Sequence, residues 1–167
     1  MGMKEHRQQA ANVPVCCQVI TVSDTRTPEN DKSGSLIIRL LENEQIKVAD
    51  YVVAKDDAAE IRAAIFSAAD EVNVVLLNGG TGFTKRDVTA ETVKNMLDKE
   101  MVGFGELFRY LSYQEIGSAS MLSRAVAGTV GRKALFCMPG SANAVRLAME
   151  KLILPEIRHI VWELHRQ

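Results

Sequence analysis

No apolar run in the chain approaches the ~20 residues that a membrane-spanning helix requires, so none is expected. The opening stretch MGMKEHRQQAANVP is polar, and the apolar segment 15–22 is interrupted by Gln18, so a secretory signal is not expected either. Cysteine is scarce. Cys16, Cys17 and Cys137 are odd in number, two are adjacent, and no C-x-x-C spacing occurs. That speaks against a disulfide framework or a thiolate metal site, and predicts buried reduced thiols in a cytoplasmic protein. Histidine is equally sparse, and His6, His159 and His165 lie near the termini, where surface positions without a role are expected. A net charge of −1 leaves no electrostatic footprint for nucleic acid or a membrane surface, so neither is expected as a partner. Linkers, repeats and low-complexity segments are missing too.

What is present is a chain of 167 residues, 47% of them hydrophobic, enough for one domain with a substantial core. Residues 1–13 are expected to form a flexible arm, and 14–167 a single domain. The organising stretch is VVLLNGGTGFTKRDVT at 74–89. Its four apolar residues suit an interior strand of a parallel sheet, covered on both faces. Asn78-Gly79-Gly80-Thr81-Gly82 follows, and glycines let the backbone take positive φ and let a ligand approach closely. Strand, glycine loop and helix in succession is how α/β proteins hold phosphorylated ligands, through free N–H groups at a helix N-terminus. The loop fits neither G-x-G-x-x-G nor the P-loop pattern, and a tight turn that binds nothing is the competing reading. Asp87 sharpens the choice. A carboxylate beside a phosphate loop repels its ligand unless a cation intervenes, which suggests Mg²⁺ with a polyphosphate. An ordinary ion pair with Arg86 or a nearby lysine is the alternative.

Strands are predicted at 15–22, 47–54, 74–77, 125–130 and 133–138, the last two joined by a short hairpin at Gly131-Arg132 that would make the sheet mixed. Helices are predicted after Asp31 or Ser33, after Asp57, over 90–97, from Gly103, after Ser141 and from Pro155. Polar loops follow strand after strand: Ser23-Asp24, Asp56-Asp57, the glycine loop, and Pro139-Gly140-Ser141. In a parallel sheet these gather at one edge, where a single pocket uses them all. Asp57 with Glu60 is a capping pair, which leaves Asp56 without a structural task. Turn chemistry accounts for Ser23 and Asp24, and capping for Ser141, as readily as ligand binding does. The apolar stripe Phe104, Leu107, Phe108 and Leu111 suits core or a subunit contact, and 118–124 is expected to be irregular.

The set VSDT (22–25), DKSG (31–34), AKDD (54–57), NGGTGFTKRDVT (78–89), GFGELFRYLS (103–112), SRAVAG (123–128) and MPGS (138–141) resembles the MoaB/MogA family of molybdenum cofactor biosynthesis. Gephyrin's N-terminal domain belongs to that family. The similarity spans 15–155, and the FRYLS and SRAVAG wording is closer to the MoaB branch. The resemblance implies a molybdopterin-binding α/β fold, a three-layer mostly parallel sheet with helices on both faces, assembled as a trimer or a pair of trimers. It implies adenylylation of molybdopterin by MgATP with release of pyrophosphate, and a molybdopterin-binding protein without turnover is the alternative. An unrelated nucleotide or pterin substrate on the same fold is a third. By resemblance Asp87 and Asp56 are the catalytic aspartates, with Mg²⁺ held at Asp87. Asn78, Gly79, Gly80, Thr81 and Gly82, with Ser23, Asp24, Pro139, Gly140 and Ser141, would hold pterin or phosphate. Lys85 and Arg86 would offset negative charge. Asn78 stands where many members have Thr, so an amide replaces a hydroxyl against the ligand.

Overall fold

The computed structural model describes residues 8–166. Strand β1 (Cys16–Val22) pairs in parallel with β2 (Lys47–Ala54) on one side and β3 (Val74–Asn78) on the other. Beyond β3 lies β6 (Lys133–Met138), again parallel, followed by β5 (Val126–Val130) and a two-residue edge strand, β4 (Lys99–Glu100), both antiparallel. The sheet order is thus β2-β1-β3-β6-β5-β4, parallel where the glycine loop sits and antiparallel at one edge. The hairpin turns at Gly131, whose φ of 57° suits glycine. Strand β4 escapes prediction because two charged residues carry no hydrophobic alternation. A short charged edge discourages pairing with another sheet.

Period-2 alternation sends Val74 and Leu76 to one face of β3, and Val75 and Leu77 to the other. Facing the first pair are helices α1 (Lys32–Asn43), α4 (Val102–Ile116), α5 (Ala142–Ala148) and α6 (Leu154–His165). Facing the second are α2 (Ala58–Phe66) and α3 (Thr89–Met96). The result is the expected three-layer α/β arrangement. Phe136 is an anchor of the larger layer, with the Phe104 ring edge-on at 5.3 Å. Burying a side chain of this size contributes about 1.5–3 kcal/mol.

The helix ends follow the capping logic. Asp31 caps α1 through the N–H groups of Ser33 and Gly34, Asp57 caps α2 through those of Ala59 and Glu60, and Ser141 accepts from Ala144 at α5. A π-type turn, Met149–Ile153, carries α5 into α6, and the segment after α4 is a 3₁₀ helix, Gly117–Leu122. The three cysteines are buried and free. Burial and the neighbouring Cys16 push the Cys17 thiol up, and burial raises Cys137 to about 12, so neither is a nucleophile. Of the arm expected over 1–13, residues 1–7 lie outside the described residues, as does His6. Residues 8–10 are helical, Ala10 is buried, and the Val13 carbonyl accepts a bond from Arg158 at 3.0 Å. One expectation is corrected. His159 is not a surface residue: its side chain is 18% exposed, and Nδ1 lies 3.1 Å from a Glu156 carboxylate oxygen.

Candidate functional site

Gly79 and Gly80 turn the chain at the carboxyl end of β3 with φ of 95° and 67°. A Cβ on Gly79 would overlap the Val22 carbonyl oxygen, and one on Gly80 would overlap the Thr89 hydroxyl, so both positions demand glycine. The Gly79 N–H donates to the Met138 carbonyl at 3.1 Å, which ties the loop to the end of β6. Gly140 packs directly on Gly79, and the Ser33 hydroxyl donates to the Gly140 carbonyl at 2.5 Å. Backbones of three loops therefore meet without intervening side chains.

The space above them is a cleft of about 450 Å³. Ser23, Asn78, Gly79, Gly80, Thr81 and Gly82 line it, and so do Asp87, Pro139, Gly140 and Ser141. Asp24 and Asp56 stand just outside its lining. Asp56 is adjacent all the same, with Oδ1 3.0 Å from the point that a Cβ on Gly80 would occupy. Asn78 lines the cleft with its amide donors already engaged. Its side chain is buried, and Nδ2 donates to Thr21 Oγ1 at 2.9 Å and the Ile20 carbonyl at 3.4 Å, so its donors are committed to β1. Thr21 in turn donates to Asp31 Oδ2, which also accepts from the Tyr51 hydroxyl, each at 2.5 Å. Burial raises the Asp31 carboxyl, but those hydroxyls and the Ser33 and Gly34 N–H groups outweigh it and hold the carboxyl below its ordinary value.

Asp87 is not paired with Arg86. Its Oδ2 accepts from the Thr84 hydroxyl at 2.6 Å and the Thr84 N–H at 2.9 Å, and those bonds hold the carboxyl below its ordinary value. Arg86 reaches Asp24 instead, at 3.4 Å, while Lys85 is exposed. Asp56 moves the other way. Burial raises it, and the charges of Asp24 and Asp87 add to the rise against the smaller effect of Arg86. The arrangement gathers three carboxylates at the mouth of a glycine-lined cleft, which a cation bound with phosphates would relieve. Among the described residues no group of three or more His, Cys, Asp or Glu is placed to hold a metal by protein ligands alone. Mg²⁺ bound with nucleotide phosphates needs only one or two carboxylates.

Residues 18–159 match the family model described as "Probable molybdopterin binding domain". The chain belongs to that family. The match spans every loop at the cleft, from Ser23 to Ser141. The chain is 57% identical over 170 residues to molybdenum cofactor biosynthesis protein B of Bacillus cereus, with all of both chains covered. A crystal structure of a molybdenum cofactor biosynthesis protein B superposes with a TM-score of 0.90 at 59% identity, covering 92% of this chain and 98% of that one. The tungsten cofactor synthesizing protein MoaB from Pyrococcus furiosus gives 0.83 at 40% identity, over 90% and 97%. The family and fold expected from the motifs are thus the ones found.

Three features of this molybdopterin-binding domain lay beyond the sequence reading. The far wall of the cleft comes from α4 and the 3₁₀ helix, with Phe108, Ser112 and Ser120. Arg26 also lines the cleft, from a loop whose polarity was the one available signal. Arg124 packs behind the glycine loop and donates to backbone carbonyls only, apart from its ion pair with Glu91.

Proposed function

We propose that this protein acts in molybdenum cofactor biosynthesis, binding molybdopterin in the cleft and adenylylating it with MgATP to release pyrophosphate. The observation that carries this is the placement of Asp87: ionised, on the wall of a cleft floored by Gly79, Gly80 and Gly140, with Asp56 against Gly80. The names of the relatives support the pathway.

The acceptor would be the terminal phosphate of molybdopterin, already an anion, so no residue has to remove a proton. The protein's task is to bring two anions together and neutralise the charge on the leaving pyrophosphate, which is positioning and electrostatics. Mg²⁺, where bound, supplies charge neutralisation on the phosphates, and Asp87 with Asp56 would hold it. The free N–H groups of the glycine loop would take phosphate oxygens. Arg26 on the wall and Lys85 and Arg86 at the rim would offset further charge. The geometry of Asp56 favours a second reading, a molybdopterin-binding protein without turnover. Its carboxylate accepts from the Asp24 N–H and stands outside the cleft lining.

Both readings suit a cytoplasmic homo-oligomer, a trimer or a pair of trimers. Val102, Leu107, Tyr110, Tyr113 and Ile116 leave more than half of each side chain exposed along α4, and Met121 and Leu122 extend that face. A contiguous exposed apolar face of this kind marks a protein contact. Among the described residues no helix is long and apolar enough to cross a membrane.

The deciding experiment is pyrophosphate release from purified protein given molybdopterin, ATP and Mg²⁺, with Asp87→Asn beside the wild type. Release should depend on molybdopterin and fall by roughly 100-fold or more in the variant, with pterin binding retained. Pterin binding without release in the wild type establishes the second reading instead.

A further inference from the structure

Arg124 lies just before β5, outside the cleft, with its guanidinium against the back of the glycine loop. Nε donates to the Thr81 carbonyl at 3.3 Å, and Nη2 donates to the carbonyls of Gly82 and Asp87, the latter at 2.8 Å. Nη1 pairs with Glu91, and the guanidinium carbon stands 5.3 Å from the centre of the Phe83 ring. The Gly80 carbonyl is drawn the same way, accepting the Thr89 N–H at 3.0 Å. Four carbonyls of the segment 80–87 are therefore engaged by Arg124 and the start of α3. The N–H groups of Gly80 and Thr81 find no acceptor among the described residues, and both residues line the cleft.

We infer that Arg124 is the positioning residue of the phosphate cradle: by holding the carbonyls of Thr81, Gly82 and Asp87 behind the loop, it anchors the chain that follows the Gly79-Gly80 turn, so that the N–H groups of Gly80 and Thr81 stay presented to an anion in the cleft. The inference rests on the phosphate-binding reading above. Each peptide unit joins the C=O of one residue to the N–H of the next on opposite sides, so the Thr89 N–H, which holds the Gly80 carbonyl, turns the Thr81 N–H the other way, and Arg124 anchors the next peptide, between Thr81 and Gly82. Arginine suits the task because its planar fork reaches several acceptors at once, where an ammonium is a point donor. Glu91 holds the fork in orientation from the far side. The guanidinium charge also favours an anion across the thin glycine backbone, as it already favours the ionised form of Asp87. Arg124 touches no ligand in this scheme.

The test compares wild type, Arg124→Met and Arg124→Lys by hydrogen exchange at the amides of Thr84, Asp87 and Thr89, and by binding of MgATP and of molybdopterin. Thermal melting confirms that each variant folds. Arg124→Met should speed exchange at those three amides by roughly tenfold while leaving β1 unchanged, and weaken binding of both probes by roughly tenfold. Arg124→Lys should fall between, since it restores one donor but not the fork. Unchanged loop exchange with unchanged binding in Arg124→Met overturns the inference. Faster exchange spread evenly through β1 and α6 also overturns it, since that describes a general loss of stability. If the wild type binds neither probe, the phosphate reading falls. Loop exchange then judges Arg124 alone: local acceleration supports its hold on the loop, and none removes it.

Discussion

Asp24 and Asp56 hold each other by reciprocal bonds. The Asp24 N–H donates to Asp56 Oδ2 at 3.1 Å, and the Asp56 N–H donates to Asp24 Oδ1 at 3.2 Å. The loops after β1 and β2 are latched together by this exchange, and the latch brings two carboxylates near each other beside a third, Asp87. The N–H groups compensate part of that repulsion, and Arg86 a smaller part. What remains uncompensated would serve the proposed Mg²⁺ site.

Asp56→Asn should therefore stabilise the ligand-free protein near neutral pH while impairing the proposed MgATP-dependent turnover. An amide oxygen still accepts the Asp24 N–H, and the like-charge repulsion is gone. Because the folded carboxyl is raised, the native state binds the extra proton. The charged form costs stability as pH rises from the unfolded value through the folded one. Thermal melting should show a gain of about 2 °C for the variant at pH 7 that disappears in acid, where the wild type is protonated too. A loss of stability at pH 7 would contradict this account.

Thr89→Val should not destabilise the fold. The Thr89 side chain is fully buried, and its hydroxyl finds no partner among the described residues. A buried unmade hydrogen bond costs about 1–3 kcal/mol, and valine fills the same volume without one. Chemical denaturation should report a gain of about 1 kcal/mol. A loss of that size would mean the hydroxyl is satisfied.

The proposed oligomer should dissociate when Tyr110 and Tyr113 are together replaced by Glu. Both side chains stand on the exposed apolar face of α4, at 62% and 61% exposure. Two charges placed there would have to lose their water on association, a cost of several kcal/mol per ion. Light scattering after size exclusion should show a monomer with unchanged circular dichroism. An unchanged mass would put the contact elsewhere.

The strands were legible because β-branched runs end in turn residues, and the central one, Val74–Asn78, lies where the alternation of its side chains requires. The glycine loop was legible for a similar reason, since a chain rarely clusters three glycines beside an aspartate without a backbone need. Arg124 was not. Its partners are carbonyl oxygens some forty residues upstream, and a carbonyl carries no side-chain signature. The commitment of the Asn78 donors to Thr21 and the Ile20 carbonyl was not legible either, since position alone places the residue at the cleft it lines. Lys99–Glu100 forms a strand only because β5 offers it an edge, which is a property of the assembled sheet.

The bond from Ser33 to the Gly140 carbonyl joins residues 107 positions apart. Closing so long a segment costs chain entropy before any contact repays it, and such contacts form late. A chain still on the ribosome, with β6 unfinished, would already carry the glycine loop but not the floor on which Gly79 rests. On the proposed function, competence to bind thus waits for the segment that carries Gly140, and a half-built cleft offers molybdopterin no floor.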